Sequence, residues 1–436
     1  MKKVIIIILI FLFISSVISC QLVVSLFDEN QITQYDILNR KFDINYNLTY
    51  SDKGCKISSI QINDILLVSY INPLNGNIYF KYLRLDQKSI YNEDNLYNLA
   101  DENDIQLSFS TGFDFQSISH PYVYIPYMEK ITDNVIALYY IDSNYCLHEE
   151  DIKLNYDYSK KRYTYQIVSS NFNENPVESA LLSKSTGKLY NLKKSDKIGY
   201  VTFYNNLFYV VTWDKNNIFN MNKINFSISG YNIYEELNSN IIEYNWNKII
   251  IANIADEYAT NYLILNYVDL FTQQSVLLYD SKIEGKTTYN SNIKMLYIEE
   301  QNKLYIAWSY NKDGKNYIAI SELDFTNKKL IDRFKIDITG KNMEDIDLRR
   351  TFKNSSNLFL VYSTNTTDST NEFVALVINT YDFDNSNWSS NQIYKNQVSN
   401  SLIYNNIFDS DYCIIGQSIY NDINELDYQL YLFLDN

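Results

Sequence analysis

Residues 303–325 read KLYIAWSYNKDGKNYIAISELDF. Two apolar runs flank a charged turn that carries Asp313 and Gly314. An Asp-Gly pair between two such runs is a strong short-range signal for a β-hairpin. Whether this hairpin stands alone or is one copy of a repeat decides the architecture.

Sliding the stretch along the chain finds six counterparts. The run at 302–309 is matched closely at 206–213 and 357–363, and more remotely at 261–267, 134–140, 63–70 and 411–416. Each copy opens on Asn or Asp, continues through mainly apolar residues and meets a polar turn, after which a second β-branched and aromatic run follows. Around the fifth copy, residues 293–298 and 330–336 add a strand on either side, which makes a four-stranded meander. The copies start about 58 residues apart, within the range of four-stranded propeller blades with their loops.

The first hairpin strand is apolar on both faces. Leu304, Ile306, Trp308 and Tyr310 share one side, and Tyr305, Ala307 and Ser309 share the other. A strand covered on both faces loses simple alternation, and a ring of stacked blades covers its central strands in that way. The repeat therefore resembles the β-propeller superfamily over nearly the whole chain after residue 20, most of all the blades of sialidase-like and related secreted propellers. It lacks their S-x-D-x-G-x-T-W Asp box, and it has neither the Gly-Gly of kelch repeats nor a D-x-D-x-D-G calcium loop. The resemblance implies an all-β fold of about seven four-stranded antiparallel blades. Six or eight stay open because the first two intervals are long. The seventh unit ends on its third strand, at 428–434, and the spare apolar run at 21–27 is expected to complete that blade as an N-terminal closing strand, removing an open edge.

The N-terminal sequence MKKVIIIILIFLFISSVISC has two lysines, an apolar core and small residues near Ser19, the pattern of a secretory signal peptide. The expected organisation is a signal peptide over 1–20 and a single propeller domain over 21–436. Residues 17–20, ending on Cys20, also resemble a bacterial lipobox, which would make Cys20 a lipidation site. The apolar core is shorter than the roughly 20 residues that span a bilayer, and no second span or C-terminal anchor signal is read, so the mature chain is expected to carry no transmembrane segment. A net charge of -15 and a pI near 4.7 argue against a nucleic-acid partner.

Chemistry is hard to place. The cysteines are Cys20, Cys55, Cys146 and Cys413, without metal-site spacing, and the only histidines are His120 and His148. Neither histidine accompanies a nucleophile motif; His120 is read at a strand entry and His148 in an acidic turn, as surface or capping residues. Six arginines could supply a carboxylate grip of the sialidase kind. Clustered acids at 344–347 and 382–386 lack the turn glycine and terminal Glu of a calcium loop and read as solvated segments. No catalytic, cofactor-binding or metal residue is assigned, and no cofactor is expected. Five N-x-[ST] acceptors for N-glycosylation occur, at Asn47, Asn225, Asn354, Asn365 and Asn387, with Asn365 expected at a hairpin tip. The sequence thus points to a secreted or cell-surface propeller that is a non-catalytic binding module for a glycan or an extracellular protein. The alternatives are an extracellular carbohydrate-active enzyme, a glycoside hydrolase or sialidase-like, on the same fold, or a structural surface component.

Overall fold

The computed structural model describes residues 35–41, 57–63, 65–72, 77–84, 104–112, 126–158, 162–177, 189–204, 207–227, 240–257, 260–288, 293–350, 356–366, 370–383, 388–399, 403–407, 413–420 and 426–433. The signal-peptide segment, residues 21–27, Cys20, Cys55, His120, Asn47, Asn354 and Asn387 lie outside them.

A first strand, β1, spans Tyr35–Lys41. Blade 1 follows with β2 (Ile57–Ile62), β3 (Ile65–Asn72), β4 (Asn77–Arg84) and β5 (Asp104–Ser110). Blade 2 has β6 (Tyr127–Thr132), β7 (Val135–Ile141), β8 (Leu147–Asp157) and β9 (Arg162–Phe172). Blade 3 has β10 (Leu189–Leu192), β11 (Lys197–Tyr204), β12 (Leu207–Asp214) and β13 (Asn217–Ser227). Blade 4 has β14 (Asn240–Asn245), β15 (Lys248–Glu257), β16 (Thr260–Asp269) and β17 (Gln274–Asp280). Blade 5 has β18 (Lys294–Ile298), β19 (Lys303–Lys312), β20 (Lys315–Asp324) and β21 (Lys329–Asp337). Blade 6 has β22 (Lys341–Arg350), β23 (Asn357–Thr366), β24 (Thr370–Asn379) and β25 (Ser389–Ser399). Blade 7 has β26 (Ile403–Ile407), β27 (Cys413–Tyr420) and β28 (Leu426–Phe433).

These strands form seven four-stranded antiparallel sheets, each in sequence order from inside to outside, and β1 is the fourth strand of the last. First strands of successive blades touch one another, as β14 touches β18 and β22 touches β26, so they line the axis. The chain is a β-propeller. The seventh blade does close on an N-terminal strand, but that strand is β1, where Arg40 pairs with Tyr428, and not the run at 21–27. An outermost strand has a sheet neighbour on one side only, so it needs less apolar character than a central one; YDILNRK meets that need as well as the more apolar run.

The repeat register differs from the sequence expectation in two blades. The copies at 206 and 261 are third strands, β12 and β16, while the second strands of those blades begin at Lys197 and Lys248. Both central strands of each blade are covered on two faces, so hydrophobic pattern does not tell second from third. Backbone conformation does. Asp196, Asn247 and Asn302 stand immediately before β11, β15 and β19 with φ of 54°, 54° and 55°, and Asn63 takes φ of 49° in the same turn of blade 1. Asn and Asp tolerate this left-handed conformation better than other side-chain-bearing residues.

The core is laid down between blades. Ile249 and Ile251 pack toward blade 3 with Val201 and Phe208, while Ile250 and Ala252 pack toward blade 5 with Leu304 and Trp308. The two faces of β19 part as its sequence implies: Leu304, Ile306, Trp308 and Tyr310 join the blade 4 cluster, and Tyr305 and Ala307 join that of blade 6. Each fully buried Leu, Ile, Val or Phe among them is worth about 1.5–3 kcal/mol.

Blades 4 and 5 are also joined by a polar latch. After β17 the chain makes a 3-10 turn (Ser281–Glu284) closed by Gly285 at φ 65°, and Thr287 then exchanges backbone hydrogen bonds with Asn311 of blade 5 at 3.0 and 2.6 Å. This loop drives Lys286, 6% exposed, into the seam. Its Nζ lies 3.0 Å from Glu284 and 3.5 Å from Asp332, and 4.7 Å from the centre of the Tyr310 ring. Asp332 in turn accepts from Tyr310 Oη at 2.5 Å and from Ser321 Oγ at 2.7 Å, and Ser321 Oγ accepts from Trp308 Nε1 at 2.9 Å. Removing one partner from a buried charge network leaves the others uncompensated. Lys286→Ala is therefore expected to destabilise the fold by about 3–5 kcal/mol, measured by chemical denaturation; a change below about 1 kcal/mol would show that water replaces the ammonium without cost.

Candidate binding face

In an antiparallel meander the turns from first to second strand and from third to fourth lie at one end of the blade, and blades 2 to 6 are built this way. On that end the described turns of blades 2 to 6 hold one another through polar contacts. Asn191 Nδ2 of blade 3 donates to Glu129 Oε1 of blade 2 at 3.0 Å, and Lys215 Nζ reaches the same carboxylate at 2.5 Å. The backbone N–H groups of Lys194 and Ser195 donate to the Glu243 carboxylate of blade 4 at 2.5 and 2.8 Å. Ser195 Oγ also donates to Glu243, and it accepts from Asn247 N–H at 2.8 Å. Lys194 Nζ donates to Tyr244 O at 3.0 Å and pairs with Glu299 of blade 5 at 2.7 Å. Arg350 of blade 6 pairs with Glu300 of blade 5.

Large apolar side chains are exposed at the same end. Trp246 is 59% exposed in the turn between β14 and β15, and Phe271 is 78% exposed in the turn between β16 and β17. The two turns are backbone neighbours, since Leu270 N–H donates to Asn247 O at 2.7 Å. Each turn is also fixed internally. Asn245 Oδ1 accepts from Trp246 N–H at 2.8 Å, and Asp269 Oδ1 accepts from the N–H groups of Phe271 and Thr272 at 2.9 and 3.0 Å. The Thr272 and Phe271 backbone donors hold the Asp269 carboxyl below its usual range. Two exposed aromatic side chains thus stand on neighbouring, internally capped turns, an aromatic ledge beside hydrogen-bonding groups. Tyr158 and Tyr381 are exposed at this end of blades 2 and 6.

The residues singled out from sequence fall elsewhere or into structural roles. His148 is not in a turn: it is the second residue of β8, stacked on Tyr140 at 4.7 Å and on Phe172 at 5.6 Å. Its Nε2 lies 3.0 Å from Asp142 Oδ2, which makes it a wedge beneath the Asp142–Cys146 loop. Cys146 is free and buried, and burial pushes its thiol up. Arg333 pairs with Glu322 at 2.8 Å on blade 5, away from Arg350 on its own acid. Asp345 and Asp347 are buried on β22, with Lys294 of the neighbouring first strand 3.5 Å from Asp347; they form an interblade pair, not a solvated loop. Among the described residues no group of three or more His, Cys, Asp or Glu has metal-holding geometry. Asn225 is exposed on β13, whereas Asn365 is half-buried near the end of β23, paired with Asn342 and Asn371 rather than at the hairpin tip.

No protein-family model matches this chain, and no curated protein does. Solved structures similar to it include a polysaccharide lyase of family PL25, an ulvan lyase bound to -[GlcA(1-4)Rha3S]-, at 8% identity, TM-score 0.48, over 93% of this chain and 95% of that one. They also include the Dos1 propeller, at 12% identity, TM-score 0.43, over 87% and 78%. A fungal lectin of Aleuria aurantia, described as a six-bladed β-propeller, is similar at 11% identity, TM-score 0.38, over 68% and 86%. These likenesses say nothing about ligand or chemistry in this chain.

Sequence reading missed the ledge because one Trp and one Phe do not stand out in a chain with 42 Tyr and 22 Phe. The signal that could have found them is the turn itself. Residues 269–274 (DLFTQQ) and 324–329 (DFTNKK) share an Asp that caps the N–H groups two and three residues on; the residue after that Asp turns inward, as Leu270 and Phe325 do, and the next one, Phe271 or Thr326, is exposed.

Two outcomes test this geometry. Glu243→Ala removes the acceptor of the Lys194 and Ser195 N–H groups and is expected to cost about 1.5–3 kcal/mol; an unchanged denaturation midpoint would contradict a role for that carboxylate in joining blades 3 and 4. On blade 2, burial pushes the carboxyls of Glu149 and Glu150 up, against hydrogen bonds from Tyr139 and Ser170 respectively. A carboxyl raised in the fold costs stability as it ionises, from its unfolded value of about 4.3 upward through its folded value. The Glu149→Gln/Glu150→Gln variant is expected to gain on the native protein across that rise and to hold a constant advantage above it; parallel stability curves from pH 4 to 8 would refute this.

Proposed function

We propose that this chain is a secreted or surface-held, non-catalytic propeller that binds a glycan on the ledge formed by Trp246 and Phe271. The observation that carries the reading is the exposure of two large aromatic side chains on adjacent, internally capped turns. Leaving such area in water is unfavourable unless a partner covers it, and aromatic faces beside polar groups suit the apolar faces and hydroxyls of sugar rings. Rigidity matters as much, since a ledge already ordered loses little entropy on binding. The basic, apolar and small-residue pattern of residues 1–20 supports export. The nearby carboxylates Glu129, Glu243, Glu299 and Glu300 are engaged by lysine, arginine or backbone donors, which favours binding over hydrolytic or sialidase-like chemistry at this face.

The test is a glycan array probed with the purified chain and with Trp246→Ala and Phe271→Ala. Specific binding that weakens at least about tenfold in each variant, a loss of about 1.4 kcal/mol, is the expected outcome. Binding untouched by both substitutions would move the site off this face. Cleavage of the bound sugar would replace the reading with a carbohydrate-active enzyme, and silence across the array would replace it with an extracellular protein partner.

A further inference from the structure

The acceptors Asn225 and Asn365, equivalent as sequence motifs, are unlike in the fold. Asn225 begins Asn-Phe-Ser on β13, the outermost strand of blade 3, and both Asn225 and Ser227 are exposed. The alternate residues on either side of Asn225 anchor the strand from its other face: Ile224 is buried and Phe226 stacks on Phe208 at 5.3 Å. Opposite Asn225 in register is Tyr209 of β12, whose ring lies 5.9 Å from Lys223 Nζ. Among the described residues no fifth strand pairs with β13 in its sheet. Asn365 sits on β23, between β22 and β24, and its Oδ1 is buried without a hydrogen-bond partner. Its neighbour Thr364 is wholly buried, and its register partner Asn371 is 4% exposed. A sugar on that half-buried side chain would have to fit among buried neighbours on a central strand.

We infer that Asn225 is an N-glycosylation site whose glycan lies along the outermost strand of blade 3, and that Asn365 stays unmodified. The inference rests on the secretory route proposed above. The donor is a lipid-pyrophosphate-linked oligosaccharide: the Asn225 Nδ2 forms a bond to sugar C1, the C1–O bond to pyrophosphate breaks, and one amide proton is released. The first sugar then lies beside the Tyr209 ring and hides an edge that would otherwise be open to another strand. That shielding matters because Phe219, on the same strand, is exposed.

The full chain is produced in a eukaryotic secretory host in two forms, with its own N-terminus and behind an added secretory leader. N-glycans are removed enzymatically in heavy-oxygen water, so that each formerly glycosylated Asn becomes mass-labelled Asp. Label at position 225 and none at 365 in the secreted protein is expected, with one glycan's mass lost in Asn225→Gln and equally in Ser227→Ala, which keeps the Asn. Deglycosylation of the folded protein is expected to increase its self-association. Secreted, leader-fused protein with unlabelled Asn225, or with labelled Asn365, overturns the inference. Label at Asn225 in the leader-fused form, with the native form retained inside the cell, supports the site and overturns the secretory reading alone.

Discussion

Every blade depends on being covered by the next. A four-stranded sheet whose two central strands are apolar on both faces cannot satisfy itself, because whichever face it buries, the other stays in water. In blade 5, Trp308 needs blade 4 and Tyr305 needs blade 6. The ring is the arrangement in which every such face finds a partner, and the antiparallel meander delivers blades 1 to 6 without a crossover. Two buried charged groups are bound up accordingly: Lys286 by two carboxylates, and Glu372 by Lys341 and Lys395. Although burial raises the Glu372 carboxyl, those two lysines more than offset it and hold it below its usual range.

That dependence explains what could be read from residues alone. The alternate faces of 304–310 were legible because side-chain direction has a period of two, and the structure sends those faces to two different clusters. The register of blades 3 and 4 was not, because β11 and β12, or β15 and β16, are equally two-faced. Only the left-handed Asp196 and Asn247 separate them, and conformation at a single Asn is invisible in a chain where Asn is common. The closing strand was misplaced for a related reason: an outermost strand is chosen by its pairing with β28, and hydrophobicity is a poor guide to that.

The candidate face was less legible still. Whether Trp246 lies in a core or on a ledge depends on the turn that holds it, and the sequence around it shows aromatic residues of both fates: Tyr200 and Trp213 are fully buried a few dozen residues away. The charged residues near the ledge have a similar double character. Lys194 reads as a surface lysine, yet it joins three blades by meeting the Tyr244 carbonyl and Glu299 from its own turn. The turn that carries Trp246 is thus tied to its neighbours by the same contacts that join the blades.

The pairing of β1 with β28 sets the schedule on which the protein is made. The fourth strand of the last blade leaves the ribosome before the other three, and by nearly the full length of the ring. At typical synthesis rates of about 5–20 residues per second, that is a wait on the order of tens of seconds. Blades 1 to 6 can stack on one another as they emerge, but β1 must stay unpaired, or be held by something else, until its partner arrives. The strand that makes the finished ring durable is the one most exposed to mispairing while the ring is being built.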